Sequence, residues 1–154
     1  MKKTILTILL CGVMIFGITS CSSSEKEDKK FSPTEIDGVS MAIKEGTLTE
    51  TGVTVIIKDT NGKGTYVYGT EFRIDKKEND NWLKLKETGN NCAFTLIAYH
   101  VDDDGFLEFE QNWECMYGKL EKGTYRLVKS TFLGADIPIT EDKIKYFSVE
   151  FIIE

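Results

Sequence analysis

Histidine occurs once in the 154 residues, at His100, and proline only twice. A single imidazole means that any Ser-His or Cys-His nucleophile mechanism would have to run through His100. It also makes a zinc site improbable once the cysteines are assigned to other work. No glycine-rich phosphate loop and no nucleophile elbow is present. Basic residues are not in excess: Lys and Arg number 19 against 25 Asp and Glu. That balance argues against nucleic acid and anionic lipid headgroups as direct partners, because both need a basic footprint. No stretch sustains the 3.6-residue apolar period of an amphipathic helix.

One long apolar run is present, at the beginning. Lys2 and Lys3 precede an uncharged, mostly apolar stretch from Thr4 to Thr19 that leads into Ile18, Thr19, Ser20 and Cys21. This is the layout of an export signal. As a helix the run would span about 24 Å at roughly 1.5 Å per residue, short of the about 30 Å core that a permanent span must cross. An aliphatic residue, two small residues and a cysteine resemble the lipobox of bacterial lipoproteins. That resemblance implies cleavage after residue 20 and a diacylglyceryl group on the Cys21 thiol. Two acyl chains anchor stably where one holds only marginally. Ser22 to Lys30 contains no apolar residue, so it is expected to remain a solvated tether. Fully extended, it reaches about 30 Å at roughly 3.4 Å per residue.

Residues 1–20 thus read as signal peptide, 21–34 as lipidated cysteine and tether, and 35–154 as one domain, a length that supports one core and not two. Lys2 and Lys3 leave with the signal, so 17 basic side chains face 25 acidic ones in the mature chain, a net charge near −8. Cys11 leaves as well and Cys21 carries lipid. Cys92 and Cys115 remain, and an exported domain permits a disulfide between them.

From Val39 onward the pattern has period two. Candidate strands are Val39 to Leu48, Val53 to Lys58, Tyr68 to Lys76, Trp82 to Lys86, Phe94 to Val101, Phe106 to Tyr117, Thr124 to Phe132 and Tyr146 to Ile153. β-Branched and aromatic residues dominate them, and Gly, Asn and Asp clusters punctuate them. Seven to eight short antiparallel strands in this length predict an all-β, two-sheet sandwich.

Leu120 to Leu127 places Tyr125 just after a Glu-Lys-Gly turn. It resembles the tyrosine corner of immunoglobulin-like sandwiches, in which the phenol bonds backbone at the turn. Further matching runs are Gly38-Val39-Ser40 to Thr49, Tyr68-Gly69 to Arg73-Ile74 with Lys76-Lys77 and Trp82, Asn112-Trp113-Glu114, and Tyr117-Gly118-Lys119-Leu120 through Lys129. Together these resemble a bacterial immunoglobulin-like domain family whose members are commonly lipoproteins or extracellular parts of membrane proteins. The resemblance implies a β-sandwich in a cell-surface setting. It brings no catalytic residues and no ligand.

Asp102 to Gly105 is a hairpin turn with two registers open. If the loop is centred between Asp103 and Asp104, Cys92 stands opposite Cys115, Phe94 opposite Trp113 and His100 opposite Leu107, and the cysteines fall within disulfide reach. If Gly105 forms an αL bulge in a three-residue loop, Tyr99 faces Phe109, Val101 faces Leu107 and Cys92 faces Met116. That register predicts no bridge.

Other chemistry is hinted at only weakly. The aspartates at 102 to 104 lack the remaining ligands of a calcium loop, so no metal and no cofactor is expected. Glu108, Glu110 and Glu114 recur as a solvated face before they recur as sugar-hydrolysing acids. Trp82, Tyr66 and Tyr68 are candidate binding aromatics near loops, after core or sheet-edge packing as the first role of each. The expectation is a lipid-anchored, non-catalytic binding or scaffolding module outside the cytoplasm, with an envelope protein, peptide or glycan as partner. An accessory sensor or inhibitor of an envelope enzyme is the alternative, followed by a glycan-acting hydrolase.

Overall fold

A computed structural model describes residues 32–89, 92–136 and 138–154. The signal peptide, Cys21 and nearly all of the expected tether lie outside the described residues. Among the described residues no helix is long and apolar enough to cross a membrane.

Seven strands follow in chain order: β1 Val39–Ile43, β2 Gly52–Asp59, β3 Tyr66–Glu78, β4 Asn81–Lys84, β5 Phe106–Asn112, β6 Gly123–Leu133 and β7 Lys145–Ile153. A one-turn helix, α1, occupies Glu114–Tyr117 between β5 and β6. The strands form two antiparallel sheets, ordered β1-β2-β5 and β4-β3-β6-β7. This is the two-sheet β-sandwich that the alternation predicts, in the form that the immunoglobulin-like resemblance implies.

Alternation along β2 buries Val53, Val55 and Ile57 and turns the residues between them outward, as a sheet with one covered face requires. From the second sheet Tyr68, Phe72, Ile74, Tyr125, Leu127, Phe147 and Phe151 join the same core. Burying each such side chain contributes on the order of 1.5–3 kcal/mol. Trp113, fully buried just past β5, stacks on Phe151 at 5.5 Å between centroids, and Phe151 stacks on Tyr125 at 5.6 Å. The indole N–H donates to Glu50 O at 2.8 Å, which satisfies its one polar atom in the core.

Between β3 and β4, Asn79 and Asp80 both take positive φ, 48° and 63°, the twist of a two-residue primed turn. β3 is irregular in its middle. Its register against β6 shifts between Tyr68 and Phe72, so that Gly69, Thr70 and Glu71 together oppose Ser130. A slip of one residue would turn every later side chain to the other face. The slip here is two, so Tyr68 and Ile74 both remain in the core.

Three expected strands are corrected, the first being Val39 to Leu48, which ends at Ile43 before the turn at Glu45 and Gly46. Phe94 to Val101 does not pair with β5; of this segment only Tyr99 bridges a strand, and that strand is β3, through Tyr68 in the opposite sheet. Phe106 to Tyr117 ends at Asn112, because the Asn112 side chain accepts the Glu114 N–H at 2.9 Å and starts α1. At the turn, Asp102 N–H donates to Phe106 O and Gly105, with φ of 82°, closes a three-residue loop. The hairpin therefore begins in the αL-bulge register and then splits, because Tyr99 exchanges both backbone bonds with Tyr68 at 2.9 Å.

Candidate functional site

The split hairpin leaves a groove between the two sheets. Phe72 of β3, Phe94 and Tyr99 of the crossing segment, Phe109 and Gln111 of β5 and Met116 of α1 line it, and its volume is about 650 Å³. That size is typical of a ligand site. Phe94 meets Phe72 edge to face at 5.3 Å, and Tyr99 meets Phe109 in the same manner at 5.1 Å. Cys92 and Cys115 close one end as a disulfide, with Cα atoms 6.1 Å apart. The bridge forms although the register that sequence reasoning tied it to does not. Once Cys92 lies on the crossing segment and Cys115 on α1, their separation no longer depends on the ladder.

β5 supplies two kinds of polar group. Its odd residues pair with β2: Gly105 O accepts from Asp59 N–H and Trp113 N–H donates to Thr51 O. Antiparallel pairing alternates, so the main-chain groups of Glu108, Glu110 and Asn112 point away from β2, along an edge that no strand covers among the described residues. Gln111 is an inward position, 3% exposed. Its Nε2 donates to Glu110 O at 3.1 Å, which fixes the orientation of the amide. Its Oε1 is buried with no hydrogen-bond partner, a state that costs about 1–3 kcal/mol.

Behind Phe109 lies Lys129, only 1% exposed although it is a lysine. Its ammonium donates to Gly69 O at 3.0 Å and Glu71 O at 3.1 Å, the carbonyls freed by the irregularity in β3, and it stands 4.2 Å over the Phe109 ring. Burial draws its pKa down to about 7, against the opposing pull of Glu71.

The sequence-predicted residues fall in different places. Tyr68 is fully buried, its hydroxyl donating to Asp59 Oδ2 at 2.8 Å, and burial together with that bond raises its pKa. Tyr66 is 7% exposed. Neither offers a ring to solvent, so both are corrected from binding aromatics to core residues: inward parity on β3 outweighs their nearness to a loop. Trp82 is half-buried on the outer face, between Arg126 at 4.8 Å and Lys77 at 5.7 Å from its ring. Beneath it Asp75 is held by Arg73 and Arg126, each at 2.7 Å. Tyr125 donates its hydroxyl to Glu121 O at 2.9 Å, the geometry of a tyrosine corner.

His100 is exposed, and its Nδ1 lies 3.2 Å from Tyr66 O; facing a carbonyl, that nitrogen carries the proton. The histidine is not brought to the groove. Asp102 Oδ1 accepts the Asp104 and Phe106 N–H groups, so its carboxylate shapes the turn. Glu108, Glu110 and Glu114 are exposed, and Glu108 pairs with Lys44 at 2.8 Å. Sequence reasoning missed Gln111 and Lys129. The signal was there in both cases, a polar residue at the inward parity of an alternating strand.

No curated protein and no solved structure matches the chain. Residues 35–146 match the family model of a bacterial Ig-like domain, a span from the approach to β1 into the start of β7. The sheet orders agree with it, β2 and β5 standing as strands B and E and β3, β6 and β7 as C, F and G. This chain belongs to the bacterial Ig-like domain family.

Proposed function

We propose that the chain is a bacterial lipoprotein, anchored outside the cytoplasm through a diacylglyceryl group on Cys21, whose Ig-like domain is a non-catalytic binding or scaffolding module of the cell envelope. The observation that carries this reading is the Cys92–Cys115 disulfide. Structural disulfides persist in oxidising compartments and are rare in the cytosol, so the domain agrees with the export signal that precedes it. The family is one of generally non-catalytic modules. The groove supports binding: it gathers aromatic surface and an unpartnered acceptor. An envelope protein, peptide or glycan is the class of partner.

Labelling with radioactive palmitate and membrane fractionation test the anchor. The wild-type chain is expected to be labelled and membrane-bound, and Cys21→Ala to lose both properties. A Cys21→Ala chain that remained lipid-labelled in the membrane fraction would refute the anchor. Hydrolysis of a glycan and peptide panel, with no partner recovered from detergent-solubilised membranes, would overturn the binding role.

A further inference from the structure

β5 is an interior-facing strand with an open side. Three of its residues, Glu108, Glu110 and Asn112, direct main-chain groups outward at a spacing of two residues. That spacing, about 6.8 Å, is the repeat of an extended chain. The crossing segment, which would otherwise cover them, is held on the far side of the groove by the Tyr68–Tyr99 bridge and by the Thr70 hydroxyl on Thr95 O at 2.8 Å. Gln111 is among the residues that line the groove, and its Oε1 is buried and without a partner among the described residues. An acceptor in that state awaits an N–H or O–H donor.

We propose that β5 takes up an extended peptide segment of a partner protein as an added strand along this edge. The inference rests on the binding-module reading above and names its site and its partner's chemistry. The main chain of the incoming segment pairs with Glu108, Glu110 and Asn112, using at Glu110 the carbonyl lone pair that Gln111 Nε2 leaves free. Alternate side chains enter the groove against Phe72, Phe94, Phe109 and Met116, and one of them, or a main-chain amide, donates to Gln111 Oε1. Main-chain bonds supply affinity in this mode and alternate pockets supply selectivity.

Charge decides which peptide. Glu108 and Glu110 flank the groove; Glu108 shares its charge with Lys44 at 2.8 Å, Glu110 has no ion pair among the described residues, and no Lys, Arg or His is among the described residues that line the groove. A basic segment is drawn to that rim and an acidic one is repelled. A free sugar or a small apolar molecule would fill the groove without using a row of main-chain groups at strand spacing, which is why the peptide is favoured.

The test uses the full-length chain in lipid nanodiscs as bait for a displayed library of random linear decapeptides. Enriched peptides are then synthesised and titrated into the isotope-labelled chain by NMR. Enriched sequences are expected to alternate apolar residues with Lys or Arg. Their addition shifts and protects from exchange the backbone amides of Glu108, Glu110 and Asn112, and shifts the Gln111 side-chain amide. Charge reversal in E108K/E110K weakens binding about tenfold at low salt. Gln111→Met, a change of similar volume whose fold is checked by its melting temperature, weakens it about fivefold. Methylating alternate backbone nitrogens of the peptide abolishes binding.

A library that enriches nothing, peptides that shift a different surface, or methylated peptides that bind undiminished would each overturn the inference. Peptides bound elsewhere, or ligands found instead on a glycan array, would leave the binding-module reading standing. Failure of both peptide and glycan arrays, together with hydrolysis of a substrate panel, would remove that reading as well.

Discussion

Lys129 occupies an inward position that Tyr125, Leu127 and Thr131 fill along the rest of its strand. It is held there because its ammonium satisfies two carbonyls, Gly69 O and Glu71 O, that the irregular stretch of β3 leaves without ladder partners. The arrangement carries a pH signature. In the unfolded chain the group titrates near 10.5, and in the folded chain near 7. Between those values the unfolded state binds the extra proton, so stability rises with pH. Below pH 7 both states are charged and the full cost of burying the ammonium is present. Urea midpoints of the wild-type chain are expected to climb between pH 7 and 9, by at most about 1.4 kcal/mol per pH unit. In Lys129→Met that climb disappears, while the two carbonyls lose their donor. Parallel pH profiles for the two proteins would refute this account.

At the scale of elements, the turn from Asp102 to Phe106 sets the start of β5. Gly105 has φ of +82°, and a Cβ there would stand 2.6 Å from Asp59 O. Gly105→Ala thus combines backbone strain with a clash against main chain, and is expected to cost more than about 1 kcal/mol in chemical denaturation. Gly62→Ala is the control, since Gly62 also has positive φ, +96°, but a Cβ there meets nothing within 4 Å. Equal losses in the two variants would show that the contact with Asp59 is immaterial. The same hairpin marks what the sequence conveyed and what it did not. β2 was legible because Val53, Val55 and Ile57 alternate against one covered face, and the turn residues of β3 and β4 announce their hairpin. Phe94, Leu96 and Ala98 alternate just as well, yet they form no ladder: alternation states that a segment has two faces and not which sheet it joins. That choice is made by Tyr99 pairing with Tyr68, 31 positions away, a contact no local pattern encodes. Gln111 was passed over because a polar residue in an alternating strand reads as a solvent position until its parity is counted. For Tyr66 and Tyr68 nearness to a loop allows a binding role and parity allows core packing, and their burial decides for the core.

For the whole molecule, the disulfide ties the crossing segment to α1 across a sequence separation of 23. Closing a loop of that length restricts the unfolded chain by about 3 kcal/mol. At about 4 °C per kcal/mol for a domain of this size, the double variant C92S/C115S is expected to melt about 10 °C lower than the oxidised chain. Reductant should lower the oxidised chain to the same temperature and leave the double variant unmoved. A melting temperature unaffected by reductant would mean that the bridge contributes nothing. One further property follows from the open side of β5. Uncovered strand edges are where β proteins join their own copies into aggregates. Two copies meeting here antiparallel about Glu110 would set one Glu110 directly against the other, and like charges placed opposite one another oppose pairing. In such a pairing the two Glu110 carboxylates would act as a spacer between identical molecules, holding this edge away from the protein's own kind.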